Sequence, residues 1–584
     1  MDSVRVDRAD FAGDSLFPGT AGIEFDNCAA GVALKTLTLR DSKMRFFGDG
    51  IYLYGVDSTA VVGSQLLDNS GYGIALYQSG SGQSALWMSQ SRIDRAANTA
   101  IYGYPLRRVV VDTSEILATR SSAIQLNYCD CSGIGNLEVG MHGDSIRMAG
   151  NAAFYAWLNL VQGDTVTIDH TVVHFPAETA FGSNSSIDAG LFTLTRSQFV
   201  NLGSGNPVYF SGRTFVGDSL TFTGCAVAGC DGATAVTAYP SGAGTSASLQ
   251  HSSFTQIATP FYGYGPSAMT FAHNVSDSIT NGIQIQADSV SVTDNQFTRV
   301  SLDAMRLYLY GTPSGTSTVA RNTITCSPGN AGHGLNTAGV PVVVEDNLIT
   351  GCYYGMYAQE STLGAVLRRN TIRTPVDGIV VTANATVTMR VDSNGVSGAS
   401  GAAVSRVGSG RLTMTHNNIS GNDTGVVVDG GNPAAVVHVL HDNSFTGNTS
   451  FAVVSAVDTV NAQLNWWGLS TGSHSGPGSD STFGIVDATN FLAGPPAGLP
   501  GLAPRLLATT MPVRAATLRR SVPVAAAPAP PPVRVVRAPP ARVHPALVIP
   551  PRMPAWRAAE LQERARQRAD QDAKDAALAR RVTS

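Results

Sequence analysis

Ile168-Asp169-His170, with His174 four residues further on, sets one carboxylate and two imidazoles within a single short stretch. A carboxylate beside a group that titrates near neutral pH is the raw material of general acid–base chemistry. In a lyase acting on uronic acids, carboxylates would hold Ca²⁺ against the substrate's acid group, and a basic side chain would take the proton beside it. No acidic cluster falls on adjoining repeats, so the plainer reading of Asp169, His170 and His174 is an outward acid and turn histidines. His333, between Gly332 and Gly334, is a fourth candidate, but an inverting glycosidase needs two positioned carboxylates and the chain has no Asp-Asp pair. No phosphate-loop or dinucleotide pattern occurs. No catalytic residue, metal or cofactor is therefore assigned, Ca²⁺ entering only under the lyase alternative.

A second set of residues suits binding better than bond breaking. Tyr54, Tyr77, Tyr104, Trp157, Tyr239, Tyr264 and Tyr308 each stand four residues after a small residue that recurs through the chain. Strand alternation turns that position outward, and it adds Tyr52 and Tyr102 to the same face. Rings spaced by one repeat make a platform for the faces of sugars. The same rings also serve to stack on one another and stabilise the ladder that carries them.

What lines these side chains up is an internal repeat. The small residue falls at 22, 50, 73, 100, 123, 153, 180, 207, 235, 260, 282, 304, 334, 355, 378, 403, 425 and 452, a mean step of about 25. A large apolar residue follows every time, from Ile23 through Phe181 to Val453. A second column, Asn295, Asn322, Asn347, Asn370, Asn394, Asn417 and Asn443, stands before an aliphatic or Phe residue two places on. These amides read as ladders that satisfy turn backbone groups rather than as ligands. Short alternating strands without helical periodicity, at this period, predict an all-β parallel β-helix. Eighteen coils at the inter-strand spacing make a rod roughly 85 Å long.

On these repeats, and on Asn465-Trp466-Trp467-Gly468 followed by Gly476-Pro477, residues 1–495 resemble the bacterial right-handed parallel β-helix repeat proteins of the pectin-lyase-like superfamily. The resemblance implies a right-handed solenoid, a secreted or cell-surface location, and an extracellular polysaccharide or envelope glycan as partner. It implies that the two Trp side chains cover the end of the last coil. The superfamily also contains lyases, hydrolases and epimerases. Ile168-Asp169-His170 is similar to a pectate lyase segment but lacks the Trp before it. Gly332-His333-Gly334 is similar to part of the polygalacturonase signature, whose Asp-Asp and Arg-Ile-Lys elements are absent. The reading is a non-catalytic β-helix that binds or scaffolds polysaccharide. The alternatives are a polysaccharide lyase or glycoside hydrolase, and an adhesin or tailspike-like structural protein.

Composition bounds the remainder. The net charge of −4 divides into an acidic body, −14 over residues 1–500, and a basic tail, +10 over residues 501–584. An acidic body does not attract nucleic acid, which is excluded as a partner. No apolar run is long enough to span a membrane, and Met1 leads into Asp2-Ser3-Val4 without an export signal. Val4, Val6 and Phe11 already read as strand, so the chain is expected to begin inside a longer protein or at a misplaced start. The seven cysteines form no CxxC pair and read as buried free thiols. Cys225 and Cys230 would close a small loop, and Cys326 and Cys352 lie about one repeat apart. Residues 496–554 are a Pro/Ala/Arg-rich linker and 555–584 a charged helix or disordered tail.

Overall fold

The computed structural model describes residues 3–501, apart from 16–19, 27–34, 78–83, 105, 128–137, 149–151, 158–163, 176–185, 204, 225–231, 242–243, 266–267, 310–316, 340–341, 360–364, 384–386, 430–436 and 474–479. The linker and the helix expected after residue 495 lie outside this range from residue 502 on.

One coil shows how all are built. Thr36–Arg40 meets a sharp corner at Asp41 and Ser42, Lys43–Arg45 crosses, and Asp49–Tyr54 returns to the start of the next coil at Ser58. Each strand pairs in parallel with its equivalent one coil on: Thr36 with Ser58, Met44 with Leu66, Ile51 with Ile74. Three sheets result, numbered 1 to 3 in chain order. Among the described residues eighteen short strands stack in sheet 2, from Asp10–Ala12 to Ser444–Thr446. This is a right-handed parallel β-helix, the hand that parallel crossovers take. Sheets 3 and 1 fuse where single strands run through both, at Ser186–Thr195, Val208–Asp218 and Phe451–Asn461.

Alternation within each strand sends one set of side chains inward, and stacking turns these sets into columns. Ile51, Ile74, Ile101, Ile124 and Phe154 are in register and buried, and the column resumes from Val208 to Val453. Ile23 packs partly buried against its start. The repeat expected at Phe181 lies outside the described residues, and pairing resumes at Ser186, opposite Tyr155 and Tyr209. In sheet 2, Phe199, Phe222 and Phe254 stack at 4.8 and 5.2 Å with rings nearly parallel. Each fully buried side chain of this size stabilises by about 1.5–3 kcal/mol.

The corner between sheets 1 and 2 holds the polar counterpart of that core. The Oδ1 of Asn370 accepts the backbone N–H and the amide of Asn347, at 3.0 and 2.9 Å, while its own amide reaches the Val344 carbonyl and the Oδ1 of Asn394. The pattern runs from Asn274 to Asn465, two coils beyond the predicted column. In the N-terminal coils Ser42, Ser64, Ser91 and Ser114 take the same place, each hydroxyl accepting the N–H of the coil before. The residue just ahead of this ladder sits in the left-handed region, with φ of 48° at Asp41, 56° at Arg321 and 55° at Arg369. Such residues cost about 1–3 kcal/mol each and persist because the ladder fixes the turn.

One expectation is corrected. Cys326 and Cys352 form a disulfide between adjacent coils instead of remaining thiols, because their strands pair with sulfurs on the same core face. The other five cysteines lie outside the described residues. Trp467 is buried and stacks at 5.1 Å on Phe445, which belongs to Ser444–Thr446, while the strand Thr482–Asp487 pairs with Phe451–Asn461.

Asn370→Ala strands the buried backbone N–H of Asn347, whose side-chain amide keeps the Val319 and Glu345 carbonyls, so it should lower stability by about 1–3 kcal/mol in a urea melt. Cys326→Ser with Cys352→Ser removes a cross-link spanning 26 residues, and should cost about 3 kcal/mol, matched by adding a reductant to the unmodified chain.

Candidate functional site

The aromatic face lies on the outer side of sheet 3. Tyr54, Tyr77 and Tyr104 occupy one register position in three successive coils. The rings are half-buried, because tyrosines from neighbouring columns interleave with them. Tyr77 lies 5.2 Å from Tyr52 and 5.4 Å from Tyr102, and Tyr72, from a turn, adds a contact of 5.1 Å to Tyr102. Burial and the neighbouring phenols push the Tyr77 hydroxyl well above its ordinary range, so it stays a neutral donor. Beside Tyr52 a cleft of about 300 Å³ is lined by Glu24, Asp49, Gly48 and Gly71. Burial raises the Asp49 carboxyl, against the Tyr72 N–H that donates to it at 2.7 Å.

A second aromatic group follows along the same face. Tyr239 touches Tyr209, Tyr262 and Tyr264, at 5.4, 6.0 and 5.8 Å. Tyr104 and Tyr264 are exposed, at 36% and 44%. Between the groups Trp157 stands opposite Asn127, and beyond them Tyr308 stands opposite Gln286. Among the described residues the ring contacts of this face thus form two clusters.

The acid–base candidates separate. Asp169 closes the strand Thr165–Asp169 in register with His142, and His170 follows in the left-handed corner position. Both imidazole Nδ1 atoms reach the Asp169 Oδ2, at 3.2 Å from His142 and 2.8 Å from His170. Thr195 Oγ1 and Arg196 Nε donate to the Oδ1, and Arg196 Nη2 to the Oδ2. Against the burial that would raise it, these donors hold the Asp169 carboxyl well below the usual range. His174 belongs to the next strand, in register with Arg147, where burial and that guanidinium lower its pKa. His333 lies several coils away. Its Nδ1 donates to Asp303 Oδ1 (2.8 Å) and its ring stacks on Tyr354 at 5.1 Å, while Arg306 holds the other carboxylate oxygen of Asp303.

His142, Arg196, Tyr72, Tyr209 and Tyr262 have no role in the motif reading, because each joins its cluster through inter-coil register. Another group that reading passes over is wholly buried: Arg406 Nη1 donates to Asp458 at 2.6 Å, and His438 Nε2 faces the same carboxylate at 3.5 Å. The Leu412 N–H donates to His438 Nδ1.

Residues 267–472 match the family model described as a periplasmic copper-binding protein (NosD), and residues 21–151 match the model of the right-handed β-helix region. The chain belongs to the right-handed β-helix repeat proteins. Among the curated proteins and among the solved structures nothing matches. The first aromatic cluster of this β-helix protein lies inside 21–151, and the His333 group inside 267–472. Among the described residues, the His, Cys, Asp and Glu ligand atoms that converge in a group of three are those of His142, Asp169 and His170, which lie outside 267–472. No helix of the described residues is long and apolar enough to cross a membrane.

Burial first, then Arg406, lowers the pKa of His438, against the pull of Asp458. The folded chain therefore binds fewer protons at this site than the unfolded one, and its stability is full above about pH 6.5 and falls as pH drops below it. Urea midpoints between pH 8 and pH 5 should decline for the unmodified β-helix and decline less for His438→Gln.

Proposed function

We propose that this β-helix protein works in an oxidising compartment outside the cytoplasm and binds a neutral polysaccharide along sheet 3. The observation that carries the reading is the pair of half-exposed tyrosine clusters on one flat face, spaced by coils of a rigid stack. Ring faces pack against the apolar faces of sugars. The carboxylates of Glu24 and Asp49 in the adjoining cleft accept hydrogen bonds from hydroxyls. Their charge, and the acidic body as a whole, oppose a polyuronate and favour an uncharged chain. The Cys326–Cys352 disulfide supports the compartment, since such bonds persist where thiols are not kept reduced. The periplasmic description of the family matched over 267–472 points the same way.

A polysaccharide lyase or glycoside hydrolase is the alternative. Its support is limited to Asp169, where one carboxylate is already engaged by Arg196 and Thr195.

Affinity electrophoresis against neutral and uronic-acid polysaccharides separates these readings. Tyr104→Ala and Tyr264→Ala, at exposed rings, should leave the fold intact and weaken retention by a neutral glycan roughly five- to tenfold, the loss of about 1–1.4 kcal/mol. Unchanged retention in both variants defeats the sheet 3 assignment. Unsaturated uronate products in a mass spectrum of the incubated polysaccharide would establish the lyase instead.

A further inference from the structure

We propose that His142, Asp169 and His170 bind one divalent transition-metal ion of the Cu²⁺ or Zn²⁺ class at the corner between sheets 1 and 2. The three ligand atoms all lie within 4.8 Å of one another. The Asp169 Oδ2 lies 3.2 Å from the His142 Nδ1 and 2.8 Å from the His170 Nδ1, so both imidazoles converge on one carboxylate oxygen. Nitrogen and carboxylate oxygen take about 2.0–2.2 Å at such ions. Seating an ion asks for rotation of two imidazoles that are 60% and 49% exposed.

The surroundings are those of a positioned ligand. Thr195 Oγ1 at 2.6 Å and Arg196 Nε at 2.8 Å hold the Oδ1, which keeps the Oδ2 turned toward both imidazoles. Outer partners of this kind orient a metal-binding carboxylate. Arg196 Nη2 also touches the Oδ2, and an ion among the three ligand atoms takes the place of that contact while Nε retains the carboxylate. Two imidazoles and one carboxylate favour copper or zinc over the oxygen-seeking Ca²⁺ and Mg²⁺. Three protein ligands leave a coordination position open to solvent.

The same corner supplies its own control. His251 and His273 stack at 5.1 Å with rings almost parallel, and His251 Nδ1 lies 2.8 Å or less from a carboxylate, at 2.7 Å from Asp218. They form no three-atom group, so imidazoles on this edge are not enough by themselves. The site also lies outside residues 267–472, so it does not rest on the description of the family matched there.

Titration of the full chain with Cu²⁺ and, separately, Zn²⁺, followed by calorimetry and, for copper, by electron paramagnetic resonance, tests the site. Expected are one tight equivalent and a copper spectrum split by two nitrogens. His142→Ala with His170→Ala should weaken that equivalent at least tenfold and abolish the two-nitrogen splitting, with the melting curve unchanged. His251→Ala with His273→Ala should leave both readouts as they are. Equal affinity in the unmodified chain and the His142/His170 variant overturns the proposal, as does a loss confined to the His251/His273 variant or displacement by equimolar Mg²⁺.

Discussion

A coil of this solenoid has no interior of its own. Ile74 is buried because Ile51 lies on one side of it and Ile101 on the other, and the same holds along the column. Folding free energy therefore resides in contacts between neighbours, which makes the stack behave as a one-dimensional solid. The constraint that makes stacking possible is polar. At each sheet 1 to sheet 2 corner the backbone turns too sharply to pair with itself. One side chain per coil, Asn in the C-terminal half and mostly Ser before it, takes up the N–H of the neighbouring coil. An apolar column without that ladder would bury unpaired amides at every turn.

Function follows from the same register. Because equivalent residues repeat at the strand spacing, whatever type occupies an outward position becomes a row. On sheet 3 the occupants are tyrosines, and rows of rings form. At the corner they are charged and imidazole side chains, and chains of ion pairs form: Arg321 with Asp294, Arg369 with Asp346. His142, Asp169 and His170 depart from this simple pairing, since two imidazoles converge on a carboxylate that an arginine already serves.

Much of the architecture was legible in the chain. A small residue before a large apolar one marks where a strand enters the core, and Asn322, Asn347 and Asn370 showed their ladder through even spacing alone. The sheet 3 tyrosines were legible through alternation. The Ser42 to Ser114 ladder was not, because serine is common and lacks a distinctive neighbour. Coil lengths also vary, so partners such as His142 and Asp169, 27 residues apart, meet only once strand pairing has set the register. The Cys326–Cys352 spacing equals one coil, but spacing does not tell a bonded pair from two buried thiols. Arg406 holds an inward strand position, in register with the buried Val381 and Val428, but its partner there, Asp458, 52 residues on, is announced by no local pattern.

Hydrogen exchange at single-amide resolution tests the central claim most directly. The backbone amides of Asn322, Asn347, Asn370 and Asn394 stand in turns, where exchange is ordinarily fast. If inter-coil side-chain acceptors carry the corner, these four exchange as slowly as the core amides of Ile324 and Ile372. Exchange at the rate of surface loops would contradict it, and would place the stability of the stack in the apolar column alone.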